Sequence, residues 1–342
     1  MNLYKLENVL QCYDGKPVLS VDNWSVAKGS ITGLYGPNGS GKSTLLRLLG
    51  FTESPARGKI YFHGRKAETY GKKLRTRVTL MPQESYLLKR PVYKNIVYGL
   101  RIRGDRSGEK QRVKQAMQLV GLDAGSFAQR PWYALSGGEA RRVAMAARLI
   151  LNPQVLLLDE PTASVDAKSA QMMKQAAEDA HRKHGTTLVI ASHDRKWLED
   201  ICHNIVHMFN GKIMEKGGKT FIFGPWEKTG DNCAVCRFSD GQTFFAENAP
   251  KNLPGASAAV DPQDLTLHAH KQDIPPEKTA LKGLLVNLCL EKPTNRINAA
   301  ISVGHTEFIT YLNPDVISKQ GYYPGCTLWV AYNPAKIEWG RS

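Results

Sequence analysis

Gly36-Pro37-Asn38-Gly39-Ser40-Gly41-Lys42-Ser43-Thr44 decides the fold of this chain. The apolar run Ile31 to Tyr35 precedes it and Leu45-Leu46-Arg47-Leu48-Leu49 follows, so the order is strand, glycine-rich turn, helix. Such a turn aims a ring of backbone N–H groups and the positive end of a helix at a phosphate chain. The glycines let the backbone curl, Lys42 reaches the outer phosphates as a point charge, and the Ser43 hydroxyl suits Mg²⁺. Every fixed position of G-x-x-x-x-G-K-[ST] is filled in the strand-to-helix context that the pattern needs, so the stretch predicts a nucleoside-triphosphate site.

Two other apolar runs read as strands. Val155-Leu156-Leu157-Leu158 ends in Asp159-Glu160-Pro161, and Thr187-Leu188-Val189-Ile190-Ala191-Ser192 ends in His193. Continuous apolar runs suit parallel strands buried on both faces, and ligands bind beyond the carboxyl ends of such strands. Asp159 is placed to hold Mg²⁺ and Glu160 to orient water; as a pair of helix N-caps they would not need to coincide with a phosphate loop. Leu74 to Leu80 reads as a further strand, which Pro82 ends, leaving Gln83 on a loop. Tyr13, in a turn upstream, could stack on a nucleotide base or simply cover the sheet edge.

From Tyr86 to Arg130 the spacing turns helical, with Val113, Ala116, Met117 and Val120 on one face. This small helical insertion ends at Leu135-Ser136-Gly137-Gly138-Glu139. Ser136 and Glu139 form a capping box, a structural role, while the same helix end is also an anion site. Asn210-Gly211 predicts a type I′ hairpin within Ile205 to Ile213.

Composition bounds the rest. The chain has 342 residues, 42% of them hydrophobic and 23% charged, enough for two domains with real cores. No apolar run approaches the about 18 to 20 residues that cross a bilayer, and Met1-Asn2-Leu3-Tyr4-Lys5 opens a strand rather than a secretory signal, so the chain is expected to stay in the cytoplasm. A net charge of +15 favours an anionic neighbour, either nucleic acid or the inner face of a membrane. The six cysteines are scattered and are expected to be reduced; Cys233 and Cys236 form a lone C-x-x-C in a hairpin strand, where they pack.

After about Gly224 the segments become short strands broken by Gly, Pro and Asn: Phe244-Phe245, Ala258 to Val260, Leu265 to His268, Leu284 to Leu290, Ile297 to Val303, Phe308 to Leu312 and Cys326 to Tyr332. The expected division is residues 1–224, with a helical subdomain at about 85–150, followed by a β-rich domain at 225–342. Asp273-Ile274-Pro275-Pro276 reads as a link to a barrel-like unit from about 275 to 342.

Taken together, Gly36 to Thr44, Gln83, Leu135 to Glu139, Val155 to Glu160, Ser164-Val165-Asp166 and His193 stand in the order and spacing of the ATP-binding-cassette ATPases, which residues 1 to 220 resemble. The resemblance implies an α/β P-loop NTPase with a RecA-like core and a helical subdomain. It makes Tyr13 the adenine-stacking aromatic and Gly36, Pro37, Asn38, Gly39, Ser40, Gly41, Lys42, Ser43 and Thr44 the phosphate loop. Ser43, Gln83 and Asp159 become the Mg²⁺ group, Glu160 the base for the attacking water and His193 the γ-phosphate switch. Ser136 and Gly138 would meet ATP held by the opposite subunit, which implies a homodimer. Val165 departs from the Ala-Leu that commonly precedes the Asp in this family, with little consequence expected.

The roughly one hundred positions from Gly36 to Ser136 leave no room for the long coiled coil of chromosome-organising and repair cassettes. Translation-associated cassettes usually carry two copies, so no nucleic-acid partner is expected, although a soluble nucleic-acid-associated ATPase stays as the alternative from another class. The tail, Val260 to Leu267, Leu281 to Val286, Ala299-Ala300-Ile301 and Tyr323 to Tyr332, resembles the OB-like regulatory (MOP/TOBE-type) domain of importer ATPases. Leu48-Leu49-Gly50-Phe51-Thr52-Glu53 is similar to tungstate importers. The resemblance therefore implies an ATP-hydrolysing subunit of an importer for an oxyanion such as tungstate or molybdate, or else for a sugar, polyamine, iron or sulfate. Such a subunit sits peripherally on the cytoplasmic face of the inner membrane, against two permease subunits that an extracytoplasmic binding protein serves. Where related tails carry an anion-binding S-A-R-N-like turn, this chain has Lys278-Thr279-Ala280-Leu281-Lys282, with Leu281 in place of the Arg; weak or absent oxyanion binding is expected there.

Overall fold

Ile31–Tyr35, Val155–Asp159 and Thr187–Ser192 are buried at every residue, as continuous apolar runs require when both faces of a strand are covered. In the computed structural model they lie side by side in parallel, flanked by Val78–Met81 and Asn204–Phe209, which also pair in parallel. The structure describes residues 1–67, 74, 76–84, 86–163, 165–214, 219–230, 232–291 and 295–340, without the side chains of Lys196 and Glu291. By internal contacts the chain divides into two units, Met1–Gly36 with Gly41–Ile213, and Met214–Ser342 with Pro37–Ser40.

In the first unit a ten-stranded sheet continues from the parallel strands into an antiparallel part. Asn2–Tyr13 and Lys16–Ala27 pair there through the Asp14-Gly15 turn, and Arg57–Phe62 lies on the other side of Asn2–Tyr13. Asn210 and Gly211 both have positive φ, as a type I′ turn needs, and they join Asn204–Phe209 to Lys212–Ile213. Leu3, Leu6, Leu45, Leu48, Leu49 and Leu157 are at most 1% exposed in the shared core. Each contributes about 1.5–3 kcal/mol by leaving water. The expected strand from Leu74 is shorter than the apolar run suggests: it spans Val78–Met81, and Leu74 has helical backbone.

The helical insertion forms as its spacing predicts. Val113, Ala116, Met117 and Val120 are buried, with the first three in the helix Glu109–Leu119. The helix Gly137–Leu149 starts at Ser136 with both arms of the capping box formed. No helix among the described residues is long and apolar enough to cross a membrane.

The tail is an all-β unit of OB-like type. Its five-stranded antiparallel sheet runs Thr266–His268, Thr327–Tyr332, Thr279–Glu291, Arg296–Val303, Thr306–Leu312. The long strand Thr279–Glu291 pairs with Thr327–Tyr332 through its first half and with Arg296–Val303 through its second, which curls the sheet. Gly283 permits this: a Cβ there would stand 2.5 Å from the Ile301 side chain. Two three-stranded sheets complete the unit, and one of their strands, Thr220–Phe223, lies ahead of the compositional change at Gly224. Residues 273–276 do not separate two cores. Thr266–His268 pairs with Thr327–Tyr332 across them, and one cluster holds Ile222, Phe244, Leu265, Leu281, Ile301 and Tyr332. Cys233 and Cys236 are free thiols three apart on the strand Cys233–Arg237, so they point to opposite faces of it.

Candidate nucleotide site

Gly41 ends the phosphate loop with φ of +96° and packs so closely that a Cβ would meet the Val18 carbonyl at 3.1 Å. Only glycine suits that position, and it lets the helix Lys42–Leu49 start directly beneath the loop. Within the loop, the Ser40 N–H donates to the Pro37 carbonyl at 3.2 Å. Lys42, 5% exposed, donates through Nζ to the Gly36 carbonyl at 2.7 Å and lies 3.6 Å from Glu160 Oε1. Burial pulls its pKa down, against the opposing pull of the Glu160 and Asp159 charges.

Asp159 and Glu160 stand where the strand Val155–Asp159 leaves the sheet, both nearly buried. Burial raises the Asp159 pKa, while a Ser43 hydrogen bond works the other way. Asp159 Oδ1 is buried and has no hydrogen-bond partner among the described residues. One carboxylate oxygen without a partner beside one serine hydroxyl is the small, hard-oxygen donor set that fits Mg²⁺, an ion that takes its remaining ligands from phosphates and water. No cluster of three or more His, Cys, Asp or Glu side chains that could hold a metal by itself occurs among the described residues.

Glu160 has φ of +46°, a left-handed backbone that costs a non-glycine residue about 1–3 kcal/mol. Its carboxylate is gripped from two sides. His193 Nδ1 donates to Oε2 at 2.9 Å and Ser192 Oγ to the same oxygen at 3.4 Å, while Oε1 faces Lys42. Burial pushes the Glu160 pKa up, but the His193 hydrogen bond and the Lys42 charge outweigh it and hold the carboxyl below its usual range. The same hydrogen bond raises the His193 pKa, against partial burial. The strand ends thus bring together Lys42, Ser43, Asp159, Glu160 and His193.

Other candidates stand apart from this cluster. Gln83 is exposed on the loop after Val78–Met81, with no described hydrogen bond to the cluster. Ser136 is held by its own capping box with Glu139. Gly138 packs against the next helix start, where a Cβ would lie 2.9 Å from Ser169 Oγ and 3.0 Å from Asp166 Oδ2. Asp166 caps the helix Ala167–His184; its neighbour Ser164 lies outside the described residues.

Tyr13 ends its strand with the ring partly exposed. Its hydroxyl donates to Glu53 and accepts from Arg47 at 3.2 Å, and Arg47 pairs with Glu53 at 3.0 Å. Sequence reading singled out neither Arg47 nor Glu53 as a partner of Tyr13, and no spacing rule would have done so. The structure adds Ser192 and Arg141 as neighbours of Glu160.

A phosphate loop, a carboxylate pair beyond a buried strand and a histidine just past the next strand lie together here. The ABC transporter family model matches residues 19–163. The chain belongs to that family, as a subunit of the ATP-binding type, and is an ATP-hydrolysing enzyme. Among its relatives is the tungstate uptake system ATP-binding protein TupC of Peptoclostridium acidaminophilum, 35% identical over 214 residues, which are 62% of this chain and 97% of that one. The spermidine/putrescine import ATP-binding protein PotA of Mesoplasma florum is 31% identical over 288 residues, 78% of this chain and 81% of that one. A bacterial ABC transporter cassette solved as a dimer is 27% identical, with a TM-score of 0.58 over 62% of this chain and 97% of that one.

Proposed function

We propose that this chain powers an importer as a homodimer, bound peripherally on the cytoplasmic face of two membrane permease subunits, with an extracytoplasmic binding protein delivering the solute. The observation that carries this reading is the cluster of the buried Lys42, Asp159 and Glu160 with the more exposed His193, in a chain whose relatives are named as uptake and import subunits. The loop N–H groups of residues 36–44 and Lys42 hold the ATP phosphates. Lys42 turns from Glu160 to the phosphates as ATP enters, leaving the Glu160 carboxylate to accept a hydrogen bond from the attacking water and aim it. Bound through Ser43 and Asp159, with Gln83 from its loop, Mg²⁺ would neutralise charge on the phosphate oxygens. His193 senses the γ-phosphate, and Tyr13 stacks on adenine.

Ser136 and Gly138 serve the ATP of a second copy. The dimeric form of the solved cassette supports this. Each cluster is then half of a composite site.

For the solute, an oxyanion such as tungstate or molybdate is the first reading, supported by the likeness to TupC over nearly all of that protein. A polyamine is the second, because the likeness to PotA runs over a longer stretch of this chain. ATP hydrolysis by the chain with its permease partners in vesicles separates them. Stimulation by receptor loaded with tungstate is expected; stimulation only with spermidine would overturn the first reading, and stimulation by RNA or DNA without permease would overturn import.

The tail mainly mediates contacts between copies. Leu281 is 2% exposed in the tail core, Lys278 donates to Thr266 Oγ1 at 3.1 Å, and Lys282 is exposed. This supports weak or no oxyanion binding there. Calorimetric titration of the full chain with tungstate and molybdate should give no saturable heat; tight binding abolished by Thr279→Val would contradict it.

A further inference from the structure

The left-handed turn at Glu160 has a neighbour that the hydrolytic cluster does not use. Arg141, in the helix Gly137–Leu149, donates through Nη2 to the Glu160 backbone carbonyl. The same carbonyl accepts from the Ala163 N–H at 3.2 Å, and the Glu160 N–H donates to the Ala191 carbonyl at 2.9 Å. Three elements therefore hold the backbone on both sides of the Glu160 Cα: the neighbouring strand Thr187–Ser192, the turn that follows Glu160, and the helix that Ser136 caps.

The arginine is placed there at some cost. It is half-buried, its Nε has no hydrogen-bond partner among the described residues, and burial pulls its pKa down against the Glu160 and Asp159 charges. The carbonyl oxygen has two lone pairs, one taken by the turn bond from Ala163, and the guanidinium takes the second from a different element. A second, directional bond to a peptide at φ of +46° does have a consequence. It opposes relaxation toward ordinary backbone angles, and any such relaxation would swing the Glu160 side chain away from His193 and Lys42.

We propose that Arg141 is a positioning residue for ATP hydrolysis: its bond to the Glu160 carbonyl fixes the left-handed backbone that aims the Glu160 carboxylate at water. The inference rests on the reading of Glu160 as the base. It makes the rate of hydrolysis depend on how the helix Gly137–Leu149 sits, with no contact between Arg141 and ATP.

The test is steady-state ATP hydrolysis by the full chain with Arg141→Met, which keeps the aliphatic stem and removes the donors. Misaiming a reacting group by about 1 Å costs about 100-fold, so kcat should fall roughly 10- to 100-fold. KM for ATP should stay within about twofold, because no ground-state contact is lost. Arg141→Lys, which still reaches as a donor, should recover part of the loss. In a Glu160→Gln background Arg141→Met should cost nothing further, since both changes disable one unit. Wild-type kcat in Arg141→Met, a rise in KM that matches the fall in kcat/KM, or an added loss in the Glu160→Gln background would each overturn the proposal. If Arg141→Met does not fold, no recovery with a folded Arg141→Lys overturns it too. A dead Glu160→Gln beside a fully active Arg141→Met sinks the Arg141 role alone; an active Glu160→Gln sinks the base reading and this inference with it.

Discussion

The tail and the strand ends at Asp159 and Glu160 treat buried polar side chains differently. In the tail, Thr310 is 1% exposed and donates to the Pro262 carbonyl at 2.9 Å, with the Leu265 carbonyl at 3.3 Å. The buried Tyr332 hydroxyl accepts from the Phe245 N–H at 2.9 Å and donates to the Phe245 carbonyl at 3.2 Å. Among the described residues, no buried side-chain nitrogen or oxygen of residues 214–342 lacks a partner. In the cassette, Asp159 Oδ1 and Glu160 Oε1 are buried without a hydrogen-bond partner, a few ångströms from a buried lysine. Leaving such groups unmade costs about 1–3 kcal/mol each, more when charged. At Asp159 and Glu160 the cost falls where phosphate, Mg²⁺ or water would supply the missing partners, whereas Thr310 and Tyr332 fix one segment of the tail to another.

The largest effect that follows is on hydrolysis. Glu160→Gln keeps the side-chain shape and the neighbouring Asp159 but removes the carboxylate proposed to aim water. Hydrolysis should fall by about 10²–10⁴-fold while ATP binding survives. Near-wild-type turnover would show that the buried carboxylate is structural, which would break the comparison.

Titration gives a second, smaller effect. The hydrogen bond to Glu160 raises the His193 pKa, so in the nucleotide-free protein His193 should lose its proton above the ordinary value of about 6.5. The stability that this pair contributes is fully present below the unfolded pKa and is lost as pH rises through the folded one. The Glu160 side of the pair behaves in the opposite sense: its pKa is lowered, so its contribution is present above the unfolded carboxyl value and is lost as pH falls through the folded one. Imidazole proton shifts assigned with His193→Gln should show the raised pKa, and Glu160→Gln should return it toward the ordinary value. An unchanged pKa in Glu160→Gln would mean that the pair does not form in solution.

The tail should respond in stability and not in rate. Thr310→Val keeps the shape of the side chain but strips one carbonyl of a near partner, and should cost about 1–3 kcal/mol in denaturant unfolding with kcat unchanged in the folded protein. A kcat loss without loss of stability would give the tail a role in chemistry that its satisfied hydrogen bonds do not suggest.

Much of the nucleotide end was legible because its signals are local. The apolar runs Ile31 to Tyr35, Val155 to Leu158 and Thr187 to Ser192 each became a buried parallel strand. The Ser136–Glu139 capping box and the Asn210-Gly211 turn formed where their residues predicted. Local signals also misled. Leu74 extends an apolar run without extending the strand, and Asp273 to Pro276 breaks the chain's regularity without dividing its core. The grip on Tyr13 joins residues 34 and 40 positions apart, and Arg141 reaches Glu160 across 19. Such contacts follow from which elements the sheet order sets side by side, and no periodicity in one segment carries that information.

The central claim is that the Lys42–Glu160 cluster is half of an ATP site that a second copy completes with Ser136 and Gly138. It is tested most directly by mixing two inactive variants. Lys42→Ala removes the phosphate-binding cation, and Ser136→Arg blocks the capped helix end that should face the partner's nucleotide. A dimer of one of each retains one site with both Lys42 and Ser136 intact, so ATP hydrolysis should reappear on mixing, well above the sum of the separate variants. No recovery, with subunit exchange verified by energy transfer between labelled chains, would contradict the account.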